Sequence, residues 1–146
     1  MKSVDQILRS KALQGVATIA PSATVQEAAA LMAGKRIGAL VVMADDAIVG
    51  IVSERDMARR LVQADRPATK TKVSEIMTTP VMYVETTNTN EECMALMTDN
   101  RMRHLPVLQR GRLVGLISIG DLVKDVISEQ QFIIDQLEHY ITGVHA

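Results

Sequence analysis

One internal offset constrains this 146-residue chain more than any other feature. Shifted by 65 residues against itself, segment 16–61 lies on 81–126 without a gap and with 13 identities. Ordinary residue frequencies would give about three. Val49-Gly50-Ile51-Val52-Ser53 falls on Val114-Gly115-Leu116-Ile117-Ser118, Asp56 on Asp121, Leu31-Met32 on Leu96-Met97, and Thr24, Glu27 and Ala30 on Thr89, Glu92 and Ala95. A lead-in repeats at a shift of 69, with Val4, Ile7 and Leu8 matching Val73, Ile76 and Met77. Four extra residues therefore separate lead-in from body in the first copy. Self-similarity at a fixed period marks a repeat architecture, and two copies of about 60 residues each are too small to be comfortable alone. They are expected to pack on each other around a pseudo-twofold axis, as residues 1–64 and 73–128. Residues 65–72, with Pro67 and alternating Thr and Lys, read as a linker, and 129–146 as a C-terminal helical extension.

Each copy spells the same element order, β-α-β-β-α, which makes the chain an α/β protein. A short apolar strand (Val16 to Ile19; Val81 to Val84) precedes a helix opened by Thr24-x-x-Glu27 or Thr89-x-x-Glu92. Both are capping boxes, in which the threonine oxygen and the glutamate each satisfy a free backbone donor. The helix bodies carry Ala28, Leu31, Met32 and Cys93, Leu96, Met97 at helical spacing. Two strands follow in each copy, Ala39 to Met43 with Ile48 to Val52 and Leu105 to Leu108 with Leu113 to Ile117, turned at Asp45-Asp46 and Gln109-Arg110-Gly111. A second helix starts at Ser53 or Ser118.

Composition narrows the function classes. The longest unbroken apolar run, Ala39 to Ala44, is far short of the roughly 20 residues that a membrane helix needs. The N-terminus carries no apolar signal-type run, so the expected compartment is the cytoplasm, with no membrane partner. Cys93 is the single cysteine, which excludes an internal disulfide and a multi-cysteine metal site. His139 and His145 have no ligand pattern around them, so no metal is expected. Net charge is −1, and Tyr83, Phe132 and Tyr140 are the only aromatics. Neither a broadly basic surface nor a base-stacking platform is available, so no nucleic acid is expected as a partner. The nine methionines serve as adaptable core filling in place of aromatics. No Gly-x-Ser-x-Gly, P-loop or His-Glu-x-x-His occurs, and no nucleophile, base and orienting acid assemble, so no enzyme is expected.

The segments Gly50-Ile51-Val52-Ser53-Glu54-Arg55-Asp56 and Gly115-Leu116-Ile117-Ser118-Ile119-Gly120-Asp121 resemble the CBS domain, and residues 1 to 128 resemble a stand-alone CBS pair. Arg101-Met102-Arg103-His104-Leu105-Pro106-Val107 and the Val73-Ser74-Glu75-Ile76-Met77 lead-in support the resemblance. One such motif is moderately specific; two in tandem at a constant offset are highly so. The resemblance implies adenosine ligands (AMP, ADP, ATP, NAD, S-adenosylmethionine) bound in clefts between paired copies, dimers that form a disc of four repeats, and a role in sensing energy or redox state.

The chemistry of the segments fits that implication. A strand glycine permits close approach by a backbone or a ligand. A serine at a helix start sits where free N–H groups favour an anion. An aspartate repels phosphate but accepts from ribose hydroxyls, as acidic residues do in dinucleotide sites. Asp56 and Asp121 are thus candidates for ribose, and Ser53 and Ser118 for ribose or phosphate. Ser-x-x-Asp is equally a helix cap that requires no ligand.

Phosphate needs cations. In the second copy Arg101, Arg103 and His104 precede a buried strand; Arg103 can grip two oxygens at once, and His104 can donate to the same group. The matching positions in the first copy are Gly38 and Ala39, with cations displaced to Lys35, Arg36 and Arg55. Arg55 joins Arg103 as a ribose or phosphate candidate, while Lys35, Arg36 and Arg101 are weaker phosphate contacts that surface solvation also explains. The copies therefore offer unequal sites. Adenine needs an apolar slot, for which the first strands and their approaches, Val16, Thr18, Ile19, Thr79, Val81 and Tyr83, are the natural walls; Pro80 keeps its neighbour extended.

Beyond the repeat, Val123, Val126, Gln130, Ile133, Leu137 and Tyr140 run at 3-4-3-4-3 spacing, with Ile134 and Ile141 beside them. This heptad-like stripe on one long helix suits packing back on its own domain or against a second chain; the dimers that the resemblance implies make a second copy the expected partner. The reading is a non-catalytic regulatory protein, a homodimer that binds AMP or NAD(H), with ATP or ADP also admissible, and signals to an effector protein through its conformation or oligomeric state. The rival reading is an interaction module in which Asp56 and Asp121 only cap helices.

Overall fold

The computed structural model describes residues 2–11 and 15–142. The chain forms two units, one of residues 15–83 and one built from the N-terminal segment together with residues 84–146. The short lead-in helix α1 (Val4–Arg9) thus belongs with the body of the second copy, and α4 (Val73–Ile76), the lead-in of the second copy, with the body of the first.

Unit 15–83 holds a three-stranded sheet of β1 (Thr18–Ile19), β2 (Ala39–Ala44) and β3 (Ala47–Ser53), with β1 parallel and β3 antiparallel to the central β2. Helix α2 (Val25–Lys35) crosses between β1 and β2. After β3 the chain turns into α3 (Glu54–Met57), which runs on as a wide π turn over Ala58–Val62. Val25, Ala28, Met32, Leu40, Val42, Val52, Leu61, Val73 and Ile76 form the core, so α4 closes the apolar side of this sheet. This helix is docked by Val73 N–H on Ala23 C=O and Val25 N–H on Thr71 C=O, each 2.8 Å. Glu75 accepts from the Lys72 N–H and pairs with Arg66; the backbone bond, with Arg66 second, holds its carboxyl below the usual range.

The other unit repeats this plan with β4 (Val84–Glu85), α5 (Asn90–Asn100), β5 (His104–Gln109), β6 (Arg112–Ser118) and α6 (Ile119–Thr142). Its core is Val4, Ile7, Val84, Cys93, Met97, Leu105, Val107, Ile117 and Leu122. Both hairpins turn through two residues at positive φ, Asp45-Asp46 and Arg110-Gly111, the geometry that matches strand twist. In both, register shifts at the same place, leaving Val49 and Val114 as bulge residues beside Gly50 and Gly115.

The copies differ where their sequences do. The first strands are shorter than their apolar runs, and in the second copy pairing starts one position later: Thr18 opposes Val41, whereas Val84 opposes Val107. Val41 donates its N–H to Ala17 C=O at 3.2 Å. Pro106 holds the corresponding place in β5 and has no N–H to give. Thr89 and Glu92 form the full reciprocal cap, while Thr24 contributes the threonine half, accepting from the Glu27 N–H. The helix after Ser53 breaks into a π turn, whereas the one after Ser118 continues for 24 residues.

Helix α6 is packed at its start and exposed further along. Leu122 and Asp125 are buried and Val126 half-buried, but every described side chain from Gln130 to Tyr140 is exposed. The apolar stripe is therefore realised with Val123, Ile127, Phe132, Ile133, Ile134, Leu137 and Tyr140 open to solvent. Val126 is half-buried and Ile127 exposed; the Ile141 side chain and His145 lie outside the described residues. No described helix is long and apolar enough to cross a membrane. Among the described residues, no cluster of metal-ligating side chains occurs.

Candidate functional site

The two Ser-x-x-Asp segments form matching caps. Asp56 accepts at Oδ2 from the Ser53 N–H (2.9 Å) and hydroxyl (3.1 Å), and its own N–H donates to Ser53 Oγ at 3.3 Å. Asp121 accepts at Oδ2 from the Ser118 N–H at 2.9 Å, and its N–H donates to Ser118 Oγ at 3.2 Å. Each helix start is tied to the preceding hairpin in the same way, by Glu54 N–H on Gly38 C=O (3.1 Å) and Ile119 N–H on Arg103 C=O (2.9 Å). Both aspartates are half-buried. The capping reading thus holds in full, and it uses mainly one carboxylate oxygen.

The strand glycines have a different occupant from the one their position suggested. A Cβ on Gly50 would lie 2.5 Å from Met77 Sδ and 2.8 Å from its Cγ; one on Gly115 would lie 2.8 and 2.9 Å from the Leu8 methyl carbons. The close approach is made by the lead-in side chains. The same segment then runs along β3 as an isolated bridge, Thr78 N–H donating to Ile51 C=O at 2.8 Å and Ile51 N–H to Thr78 C=O at 3.1 Å. The Thr78 hydroxyl reaches Asp56 Oδ1 at 3.0 Å. Arg60 clamps the end of α4 through Ile76 and Met77 carbonyls at 3.1 and 2.9 Å.

In the other unit those acceptors have a different donor. Lys11 Nζ lies 2.9 Å from Leu116 C=O and 2.9 Å from Asp121 Oδ2. Leu116 is the counterpart of Ile51 at the repeat offset and Asp121 that of Asp56. One ammonium thus serves the two groups that the Thr78 N–H and hydroxyl serve in unit 15–83. Neither Lys11 nor Thr78 is visible as a site residue from sequence. Lys11 sits in the stretch where the first copy carries extra residues, and Thr78 has no match at the 65-residue offset.

Unit 15–83 contains Asp56, Ser53, Arg55, Lys35 and Arg36 as well as Val16, Thr18, Ile19, Thr79, Val81 and Tyr83. Thr18, Thr79 and Tyr83 are exposed, Val16, Ile19 and Val81 half-buried, and the Thr79–Pro80 peptide is cis. The other unit contains Asp121, Ser118, Arg101, Arg103 and His104. His104 stands opposite Ser118 in the β5–β6 ladder, and Arg103 is exposed beside it. Arg36 and Arg101 serve the backbone, since each ends its helix in the left-handed region, at φ 55 and 51°, and donates its N–H to carbonyls of the last turn.

The sequence profile of the CBS domain matches residues 5–63 and 73–128. The chain belongs to the CBS domain family, whose paired members are commonly regulatory and ligand-binding. It is 38% identical over 125 residues to the CBS domain-containing protein CBSX3, mitochondrial, of Arabidopsis thaliana, which covers 82% of this chain and 61% of that protein. The chain thus spans about three fifths of that relative's length. Among solved structures, a protein with CBS domains from Burkholderia ambifaria, described by inference as a signal-transduction protein, matches with a TM-score of 0.85 and 53% identity over 88% of this chain and 96% of that one. The hexameric CBS-CP12 protein of bloom-forming cyanobacteria matches with a TM-score of 0.76 and 30% identity, over 84% of this chain and 70% of that one. None of these names carries an enzymatic activity.

Proposed function

We propose that this chain is a non-catalytic regulatory module that binds adenosine ligands through Asp56 and Asp121. AMP and NAD(H) are the leading ligands, with ATP and ADP admissible. The observation that supports this most is the division of labour in the two carboxylates. Each holds its helix cap with Oδ2, while among the described residues Asp56 Oδ1 takes the Thr78 hydroxyl and Asp121 Oδ1 has no hydrogen bond. A half-buried carboxylate fixed in place with acceptor capacity left over suits a pair of ribose hydroxyls. Ser53 and Ser118 line the same helix starts, Arg55, Arg103 and His104 supply charge and donors for phosphate, and the Val16–Ile19 and Thr79–Tyr83 segments supply the adenine walls in unit 15–83.

Thermal unfolding with and without AMP, ADP, ATP, NAD and NADH tests the reading. A ligand at 100 times its Kd stabilises by about 2.7 kcal/mol, which raises the melting point of a chain this size by about 5–10 °C. Asp56→Asn and Asp121→Asn should each remove part of the shift. No shift with any adenosine ligand at millimolar concentration would leave the interaction-module reading in place.

The bare apolar face of α6 favours self-association as the output. In this reading a second copy of the chain covers Val123, Ile127, Ile134 and Leu137, and nucleotide shifts the population between assemblies or arrangements that an effector protein reads. The hexameric CBS-CP12 relative supports assembly as a property of such chains. A cytoplasmic location completes the reading. Light scattering on the purified protein should give a multiple of 16.0 kDa, and Ile134→Asp with Leu137→Lys should reduce it.

A further inference from the structure

We infer that Lys11 sets the ligand class of the Asp121 site, making it selective for phosphorylated over neutral nucleosides. The inference rests on the ribose role proposed for the aspartates and concerns what distinguishes the second from the first. The Asp56 carboxylate faces a neutral threonine hydroxyl at 3.0 Å. The Asp121 carboxylate faces an ammonium at 2.9 Å, and that ammonium also donates to Leu116 C=O at 2.9 Å. With Lys11 and Asp121 only 27% and 20% exposed, the pair is screened less than a surface ion pair.

A ribose that hydrogen-bonds Asp121 shares the carboxylate with this ammonium, taking Oδ1 while Lys11 holds Oδ2. Its hydroxyls weaken the hold of the ammonium on the aspartate but offer the cation no anion in return. A neutral nucleoside therefore binds at the cost of part of an ion pair. A nucleotide brings its own anion, and the flexible four-carbon stem lets the ammonium transfer from Asp121 to phosphate. Charge pairing is then preserved, with Lys11 exchanging one anionic partner for another. At Asp56 the position of the lysine is filled by the neutral Thr78 backbone and hydroxyl.

Calorimetric titration with AMP and adenosine tests this on the full chain. Asp56→Asn isolates the Asp121 site and Asp121→Asn isolates the other. In the Asp56→Asn background, Lys11→Met should lower the ratio of AMP to adenosine affinity by about tenfold, equivalent to ~1.4 kcal/mol. Lys11→Arg, which keeps the charge, should restore most of that ratio. In the Asp121→Asn background, Lys11→Met should leave the ratio unchanged. An unchanged ratio in the Asp56→Asn background, or equal changes in both, overturns the role of Lys11 while leaving the ribose role intact. Absence of binding by the unmodified protein to either ligand overturns both together. Circular dichroism and melting of Lys11→Met and Lys11→Gln check that the fold is retained.

Discussion

The strand glycines make a quantitative prediction that requires no ligand. Gly50→Ala places a methyl 2.5 Å from Met77 Sδ, 2.8 Å from Cγ and 3.2 Å from Cβ. The sulfur and Cγ can move by side-chain rotation, because methionine is the most adaptable of the core residues. The Cβ moves only with the backbone, and that backbone is held at four points: Met77 N–H on Val73 C=O, the two Thr78–Ile51 bonds and Arg60 on the Met77 carbonyl. Overpacking of this kind costs about 1–3 kcal/mol, offset by about 0.5–1 kcal/mol from the lower chain entropy of alanine relative to glycine. The expected net loss is about 1–2 kcal/mol, read as a fall of about 3–6 °C in Tm or as the matching change in urea midpoint.

Met77→Ala alone should cost about 1–2 kcal/mol, below the range for fully buried methionine because the side chain is half-buried. With Sδ and Cγ gone, the 3.2 Å contact with Cβ remains, so Gly50→Ala should lose most, but not all, of its cost. The double-mutant cycle should thus show a coupling of at least ~1 kcal/mol, well above the ~0.5 kcal/mol scatter of independent sites. Additive losses would refute the claim that Gly50 exists to admit the lead-in methionine. For Gly115→Ala the nearest atoms are the methyl ends and Cγ of Leu8, so its cost should be smaller and Leu8→Ala should relieve it.

Cys93 is fully buried and desolvation pushes its thiol up to about 11. It should resist thiol reagents at pH 8 in the folded protein and react at once in urea. Because its folded value lies above the ordinary 9.0, its contribution to stability is complete below pH 9 and should be lost as pH rises through 11, visible in the pH dependence of urea midpoints. Asp125 is buried, accepts from Asn90 Nδ2 at 2.8 Å and meets Lys2 at 3.3 Å. Asp125→Ala should cost about 1–3 kcal/mol in equilibrium unfolding, and Asp125→Asn less. Pro106→Val supplies the missing strand donor, so the amide introduced at position 106 should exchange as slowly as that of Val41, with β4 pairing one residue longer; fast exchange there would refute the proline explanation.

Much of this architecture is legible from local chemistry. The element order, both I′-type turns and the Ser-x-x-Asp caps depend on residues close in sequence, and their signals are duplicated. Strand ends were less legible because pairing depends on the partner: the apolar run Val81–Val84 is longer than its strand, and Pro106, 22 residues away from Val84, helps to decide the boundary. The stripe on α6 was readable as a stripe, but whether Val126 or Ile127 faces outward depends on the angle at which the helix leaves Leu122 and Asp125. The partner of each lead-in was not readable at all. Similar apolar triplets fit either body, and only tertiary packing places Leu8 on Gly115 and Met77 on Gly50.

The same packing explains why the two sites diverge although their cap motifs are identical. Duplication copies the body at one offset and the lead-in at another, so the four-residue difference falls where the lead-in passes the site. In unit 15–83 the short connection after α4 brings backbone to the strand edge, and Thr78 satisfies Ile51 and Asp56 with neutral groups. In the other unit the connection after α1 leaves those acceptors to a side chain, and lysine, with reach and charge, satisfies Leu116 and Asp121 together. A length change in a connector thus becomes a charge difference at a carboxylate. The matching helix positions Arg60 and Asp125 diverge in the same sense: one caps a lead-in helix through its carbonyls, and the other binds the side chains of Asn90 and Lys2. Two copies of one motif thus present different charge at the same capping aspartate while keeping one fold.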